Sequence, residues 1–144
     1  VSYDCSCDYD PPSWYSQRNV KAARKEHQCE ECGCTIRIGE PYEDTCGMWD
    51  GYVSRFKTCL RCVALRQWAR ISVPCFCWAH GNLHDDVKTM VGEVRRQVPG
   101  FFFEYGRRMV KIERRARADI KERLRQKLSL PKGATDDGAA QVVA

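Results

Sequence analysis

The sequence holds only three histidines, and none of them lies between residues 33 and 58. It has no apolar run near the ~20 residues that cross a bilayer, and its mean hydropathy is −0.56. Residues Val1-Ser2-Tyr3-Asp4-Cys5 lack the basic start and apolar stretch of a secretory signal. No internal repeat is longer than a pair of cysteines. These absences argue against membrane insertion and export, so a cytoplasmic location is expected. Neither charged nor apolar residues are scarce, and the 144 residues have room for one modest folded domain with an appendage.

What the chain has in abundance is cysteine, ten in all. Such a count means either a disulfide scaffold in an oxidising compartment or thiolates on a metal in a reducing one. Spacing separates the two. Cys29/Cys32 and Cys59/Cys62 each enclose two residues, a gap that lets both sulfurs reach one ion and that structural disulfides seldom favour. Four thiolates make a closed shell around zinc, suited to structure. Cys29, Cys32, Cys59 and Cys62 are therefore assigned to a first zinc site.

The pattern around these pairs predicts a small α+β fold. Cys29-Glu-Glu-Cys32-Gly33 has the form of a zinc knuckle, with Gly33 supplying the positive φ of the turn. Residues 35–58 predict a β-hairpin, broken by Gly39-Glu40-Pro41 in its first arm and closed at Asp50-Gly51. Cys59-Leu-Arg-Cys62 runs into VALRQWAR, a short helix ended by Val73-Pro74. Asn82 is placed to cap a helix from Leu83 to about Val98, with Asp85 and Asp86 in its first turn. Phe101-Phe102-Phe103 is expected to dock on the core. A last helix is predicted over 104–128, with Met109, Ile112, Ala116, Ile120, Leu124 and Leu128 on one stripe. Residues 1–16 are read as irregular, 17–27 as a possible helical turn, and 131–144 as disordered. The organisation expected is a zinc-binding domain over 1–100, a basic amphipathic helical arm over 101–130 and the tail.

Knuckle, hairpin and a CxxC opening a helix resemble, in that order, a treble-clef finger over about residues 27–70. A closer resemblance is to small uncharacterised zinc-binding proteins of bacteriophages and prophages. It is carried by Cys29, Cys32, Gly33, Ile36, Gly39, Glu40 and Tyr42, by Trp49-Asp50-Gly51, and by Phe56-Lys57-Thr58-Cys59 with Cys62. It implies a phage or prophage origin, hence a bacterial host, and no established activity. Enzyme readings lack their ligands. A nuclease of the HNH type needs a histidine base on the hairpin, and a zinc deaminase needs H-x-E with P-C-x-x-C, where this chain has P-C-x-C. No catalytic residue is assigned.

A second C-x-C spacing occurs twice, at Cys5/Cys7 and Cys75/Cys77. Brought together, these four predict a second zinc site that staples the N-terminal segment to a small core, with His80 as an alternative ligand. The plainer alternative is that they are reduced, partly buried thiols. Cys34 and Cys46 have no evident pairing and are read as free thiols.

Charge is unevenly spread. Residues 106–130 hold ten basic side chains against three acidic ones, a surplus of seven in a chain of net charge +5. Arg107, Arg108, Lys111, Arg114, Arg115, Arg117, Lys121, Arg123 and Arg125 on this helix are candidate nucleic-acid contacts, joined by Arg18, Lys21, Arg24 and Lys25 ahead of the knuckle. A spread of cations suits a phosphate backbone. The same stripe could instead meet a host protein or its own copy as a homodimer, and an exposed helix is often charged only to stay solvated. The function expected is regulatory nucleic-acid binding, in transcription control for instance, with inhibition or redirection of a host protein as the alternative and a metal-dependent nuclease third. Nothing marks a small-molecule substrate site.

Overall fold

A computed structural model describes residues 11–73, 75–94 and 100–129. In chain order these form β1 (Trp14–Val20), β2 (His27–Gln28), β3 (Thr35–Ile36), β4 (Tyr42–Trp49), β5 (Tyr52–Cys59), α1 (Leu60–Ser72), α2 (Leu83–Val94) and α3 (Phe101–Ser129). The fold is small and α+β. An antiparallel sheet runs β1-β4-β5, β2 and β3 make a separate two-stranded ribbon, and α1 packs on β4 and β5 with α2 and α3 against it.

The expected hairpin exists but is divided. Gly39, at φ 85°, turns the chain before Pro41, so Thr35–Ile36 pairs back onto His27–Gln28 and β4–β5 forms the hairpin proper. Its tip is Asp50-Gly51, both at positive φ (50° and 79°), the turn that matches strand twist. Residues 14–20, read as irregular or helical, are instead strand β1, paired with β4 from Trp14↔Met48 to Val20↔Tyr42. Its side chains are mostly exposed on both sides, so it carries no apolar alternation. Its extended form comes from the free edge of β4, which offers a row of backbone partners.

Register then decides which side chains share a face. Arg18, Asp44 and Lys57 lie abreast on one face, with Arg55 beside them. Gln17, Glu43 and Thr45 lie on the other face. There Gln17 and the buried Arg66 of α1 both donate to Glu43 Oε2.

Helix α1 starts where β5 ends and stops at Val73, which is extended ahead of Pro74. Leu65 and Ala69 of α1 meet Leu83, Val87 and Val91 of α2 in the core. The three phenylalanines do not dock together: they are the first turn of α3, with Phe101 buried and Phe102 and Phe103 59% and 77% exposed. At 100° per residue, three consecutive side chains cannot all face one way. The apolar stripe is divided along its length too. Met109, Ile112 and Ala116 pack inward, but Ile120, Leu124 and Leu128 lie exposed on the second half of a 29-residue helix about 43 Å long.

A polar latch fixes α3 to the knuckle. Buried Asp119 accepts from the Thr35 amide at 2.7 Å, from Arg37 at 3.0 Å and from Arg115 at 3.1 Å. Arg115 also donates to both Glu40 oxygens and to the Thr35 carbonyl. Replacing Asp119 strands the Thr35 amide and takes one charged partner from each of Arg37 and Arg115. Asp119→Ala should therefore lower stability by about 2–3 kcal/mol, the scale of charged hydrogen bonds, in urea denaturation of the metal-loaded protein. A change below about 0.5 kcal/mol would mean that α3 is held by its apolar face alone.

Candidate metal centre and candidate nucleic-acid interface

The knuckle turn, the end of β5 and the start of α1 deliver the cysteines. Cys29 leaves β2, and the chain turns back at Gly33 (φ 67°), whose amide donates to the Cys29 carbonyl at 2.8 Å. Cys29 N–H in turn donates to the Cys34 carbonyl, closing the knuckle. Cys59 is the last residue of β5 and the N-cap of α1, and Cys62 sits in that helix's first turn. The positive end of α1 therefore faces the sulfurs, which favours thiolates there.

The four sulfur atoms lie within 4.8 Å of one another and could hold a metal ion. Cys32 and Cys59 sulfurs are 3.8 Å apart, which is also the edge of a tetrahedron with metal–sulfur bonds of about 2.3 Å. None of the four is in a disulfide. Cys29, Cys59 and Cys62 are essentially inaccessible and Cys32 partly so, leaving no open side for a substrate.

Crowding makes these thiols unequal. The Cys29 sulfur beside them pushes both Cys32 and Cys62 up, whereas hydrogen bonds, first from Cys29, pull Cys59 far down. Without a cation the cluster cannot ionise throughout; a divalent ion reverses that order and takes all four as thiolates.

Two neighbours brace the site. Glu31, inside the first CxxC, sends its buried carboxylate to the start of α2, accepting from the Gly81 and Leu83 amides at 3.1 Å each. Burial alone would raise its pKa, but the neighbouring His80 ring and the hydrogen bonds from those two amides outweigh it and hold the group ionised. On the same α2 turn, His84 Nε2 lies 3.3 Å from Cys62 sulfur. Burial lowers the pKa of His84, so it meets the sulfur as a neutral ring able to donate one N–H. Sequence reasoning gave His84 no role; the contact arises because buried Leu83 anchors the helix start over α1.

Of the second cysteine set, Cys5 and Cys7 lie outside the described residues. Cys75 and Cys77 sulfurs are 3.5 Å apart. His80 stacks on Phe56 at 4.4 Å, and its Nδ1 is 3.8 Å from Glu31. Cys34 and Cys46 are outside any disulfide, with Cys34 buried and its thiol pushed up by that burial.

Cations gather at a second place. A cleft of about 730 Å³ on the open face of the sheet is lined by Arg18, Arg24, Lys25, Arg55 and Lys57, with His27 and Tyr42. Asp44, 2% exposed, organises three of them: Arg55 binds it through two nitrogens, Arg18 donates at 2.8 Å and 3.0 Å, and Lys57 stands at 3.5 Å. These bonds, first those of Arg55, hold the Asp44 carboxyl well below the usual carboxylate range. One negative charge thus faces five positive ones. His27 registers the field, since burial lowers its pKa and Lys57 and Lys25 lower it further. Arg18, Arg24 and Lys25 were expected contacts, and Lys21 is exposed on the same loop but outside the cleft lining. Arg55 and Lys57 were missed; the two-residue turn at Asp50-Gly51 was the signal that could have set Lys57 opposite Asp44 and Arg55 opposite Cys46.

The helix cations divide. Arg115 is spent on the Asp119 latch, and Arg108 reaches the Ala64 carbonyl and Glu104. Arg107 and Arg117 pair along the helix with Glu104 and Glu113, and Arg123 reaches Thr35 Oγ1. Lys111, Arg114, Lys121 and Arg125 are exposed. His27 lines both the basic cleft and a second depression bordered by Arg37 and Arg123 together with Glu26, Asp119 and Glu122.

Removing the His84 contact should loosen metal without unfolding the chain. His84→Ala is expected to weaken metal affinity about tenfold or more, the scale of outer-shell mutations, in competition with a chromophoric chelator. Equal affinity in parent and variant would make the His84–Cys62 contact mere packing.

No family model matches this chain, and no curated protein or solved structure gives a significant match to it.

Proposed function

We propose that this chain is a zinc-stapled treble-clef protein that binds nucleic acid by its phosphate backbone. Support for the finger comes from the order of its parts: ribbon β2–β3 with one cysteine pair, hairpin β4–β5, then α1 opening with the second pair. Support for zinc comes from four cysteine sulfurs within 4.8 Å of one another, a donor set that zinc fills with no geometric demand of its own. Such a shell is a scaffold, and it offers no position for water.

The observation that carries the binding reading is the cleft around Asp44. Its carboxylate holds Arg18, Arg55 and Lys57 at fixed positions, so little side-chain entropy is lost when they meet phosphates, and Arg24 and Lys25 add charge at the rim. The exposed cations of α3 extend the field beyond it. A phage origin rests on the resemblance in the knuckle and hairpin motifs, and a regulatory role on the strongly basic segment attached to a near-neutral finger.

A second reading has its own observation. Phe102, Phe103 and Val110 are exposed together on α3, and Ile120, Leu124 and Leu128 lie beyond the core. An apolar surface of that kind suits a protein partner or a second copy.

A salt titration separates the two. Affinity for random-sequence DNA or RNA should fall with a log–log slope of about −3 or steeper, and Arg24→Ala/Lys25→Ala should flatten that slope by about two. Absent binding at low salt, or binding insensitive to salt, would remove the nucleic-acid reading. A stoichiometric partner retained from nuclease-treated bacterial lysate would then favour the protein.

A further inference from the structure

The face of the sheet opposite the basic cleft borders a second cavity, of about 330 Å³, between β1, β4, α1 and the 75–80 segment. Its walls are aromatic: Tyr15, Trp49, Phe76, Trp78 and His80. The rings are set rather than loose. Trp49 and Trp78 meet His80 edge-on at 5.7 Å and 4.5 Å, and the Trp49 ring lies so close over Gly47 that a Cβ there would come within 2.6 Å of it.

Polar groups interrupt this lining at two points. Thr45 is 1% exposed, and its hydroxyl has no hydrogen-bond partner among the described residues. Leaving such a hydroxyl dry and unpaired is unfavourable, so it calls for a ligand edge that can donate or accept. The second polar point is cationic. Arg66 is engaged, donating to Glu43 and stacking on Trp78 at 4.8 Å, but the exposed Arg70 has no acidic partner among the described residues.

Flat walls select a planar ring, the Thr45 hydroxyl selects a ring with polar edges, and Arg70 selects an attached anion. A cationic ligand is disfavoured by the two arginines, and a purely apolar one would leave Thr45 unsatisfied. We propose that this cavity binds one nucleotide, with the base between the aromatic walls and against Thr45 and the phosphate toward Arg70. The shared chemistry is a base with its phosphate, supplied by a free nucleotide or by an unpaired base in a strand. This site stands apart from the backbone cleft and does not depend on it.

The test uses the full metal-loaded chain and follows tryptophan fluorescence. It is titrated with each common nucleoside 5′-monophosphate, with the bare nucleosides, and with a short unpaired oligonucleotide. Saturable quenching by a monophosphate is expected, weakened about tenfold by Arg70→Ala, the lower scale of one charge-assisted hydrogen bond. Nucleosides should bind more weakly and ignore Arg70→Ala. Thr45→Val, checked for folding, should also weaken binding and change the preference among bases. If only the oligonucleotide quenches, and does so sensitively to both substitutions, the base comes from a strand. No saturable quenching by any ligand, or binding indifferent to both substitutions, overturns the proposal. Arg24→Ala/Lys25→Ala should leave monophosphate binding unchanged, so loss of the backbone cleft and loss of this cavity are told apart.

Discussion

Four sulfur atoms converge within 4.8 Å at the point where the knuckle, the end of β5 and the start of α1 meet. In water they would repel as thiolates, and as thiols they would offer only weak hydrogen bonds. A divalent ion held there would turn that crowding into a strong set of contacts. Three neighbouring contacts converge on this cluster. Glu31, inside the first CxxC, ties the knuckle to α2, His84 returns from α2 to Cys62, and Asp119 on α3 closes onto Thr35 just beyond the knuckle. The helices lean on the ligand loops at least as much as on one another, as a chain with a small apolar core requires.

The antiparallel sheet is the second organising element, and its period of two divides the chemistry. One face holds cations around Asp44, open to solvent. The other holds Glu43, Thr45 and Trp49 against α1 and the 75–80 segment. Each face has a buried carboxylate with arginine partners, yet the outcomes differ. Asp44 binds exposed side chains and leaves a surplus of positive charge, whereas Glu43 and Arg66 are both buried and neutralise each other. A cationic surface and an aromatic cavity thus share one strand pair without mixing.

What could be read beforehand followed from local spacing. The four clustered cysteines declare themselves by their gaps, α1 by the breaker at its end, α2 by the acids of its first turn, and the hairpin tip by Asp50-Gly51. Strand β1 could not be read, because Tyr15, Gln17 and Asn19 on one face are no more apolar than Ser16 and Arg18 on the other. The latch was also hidden. Arg115 looked like one more cation on a basic helix, and its partners Glu40 and Thr35 lie 75 and 80 residues away. The phenylalanine triplet misled for a simpler reason: apolar composition suggested docking, while helical geometry turned two of the three outward. Distant charge pairing and helix phase are settled in three dimensions, not in a window of sequence.

The central claim is that a metal on Cys29, Cys32, Cys59 and Cys62 holds the fold together. Native mass spectrometry with circular dichroism, before and after a strong chelator, tests it most directly. The account predicts a metal-bound folded chain that loses its ordered structure when the ion is stripped and regains it on adding zinc. A chain that stays folded without metal, or whose four sulfurs are found joined in disulfides, would contradict it.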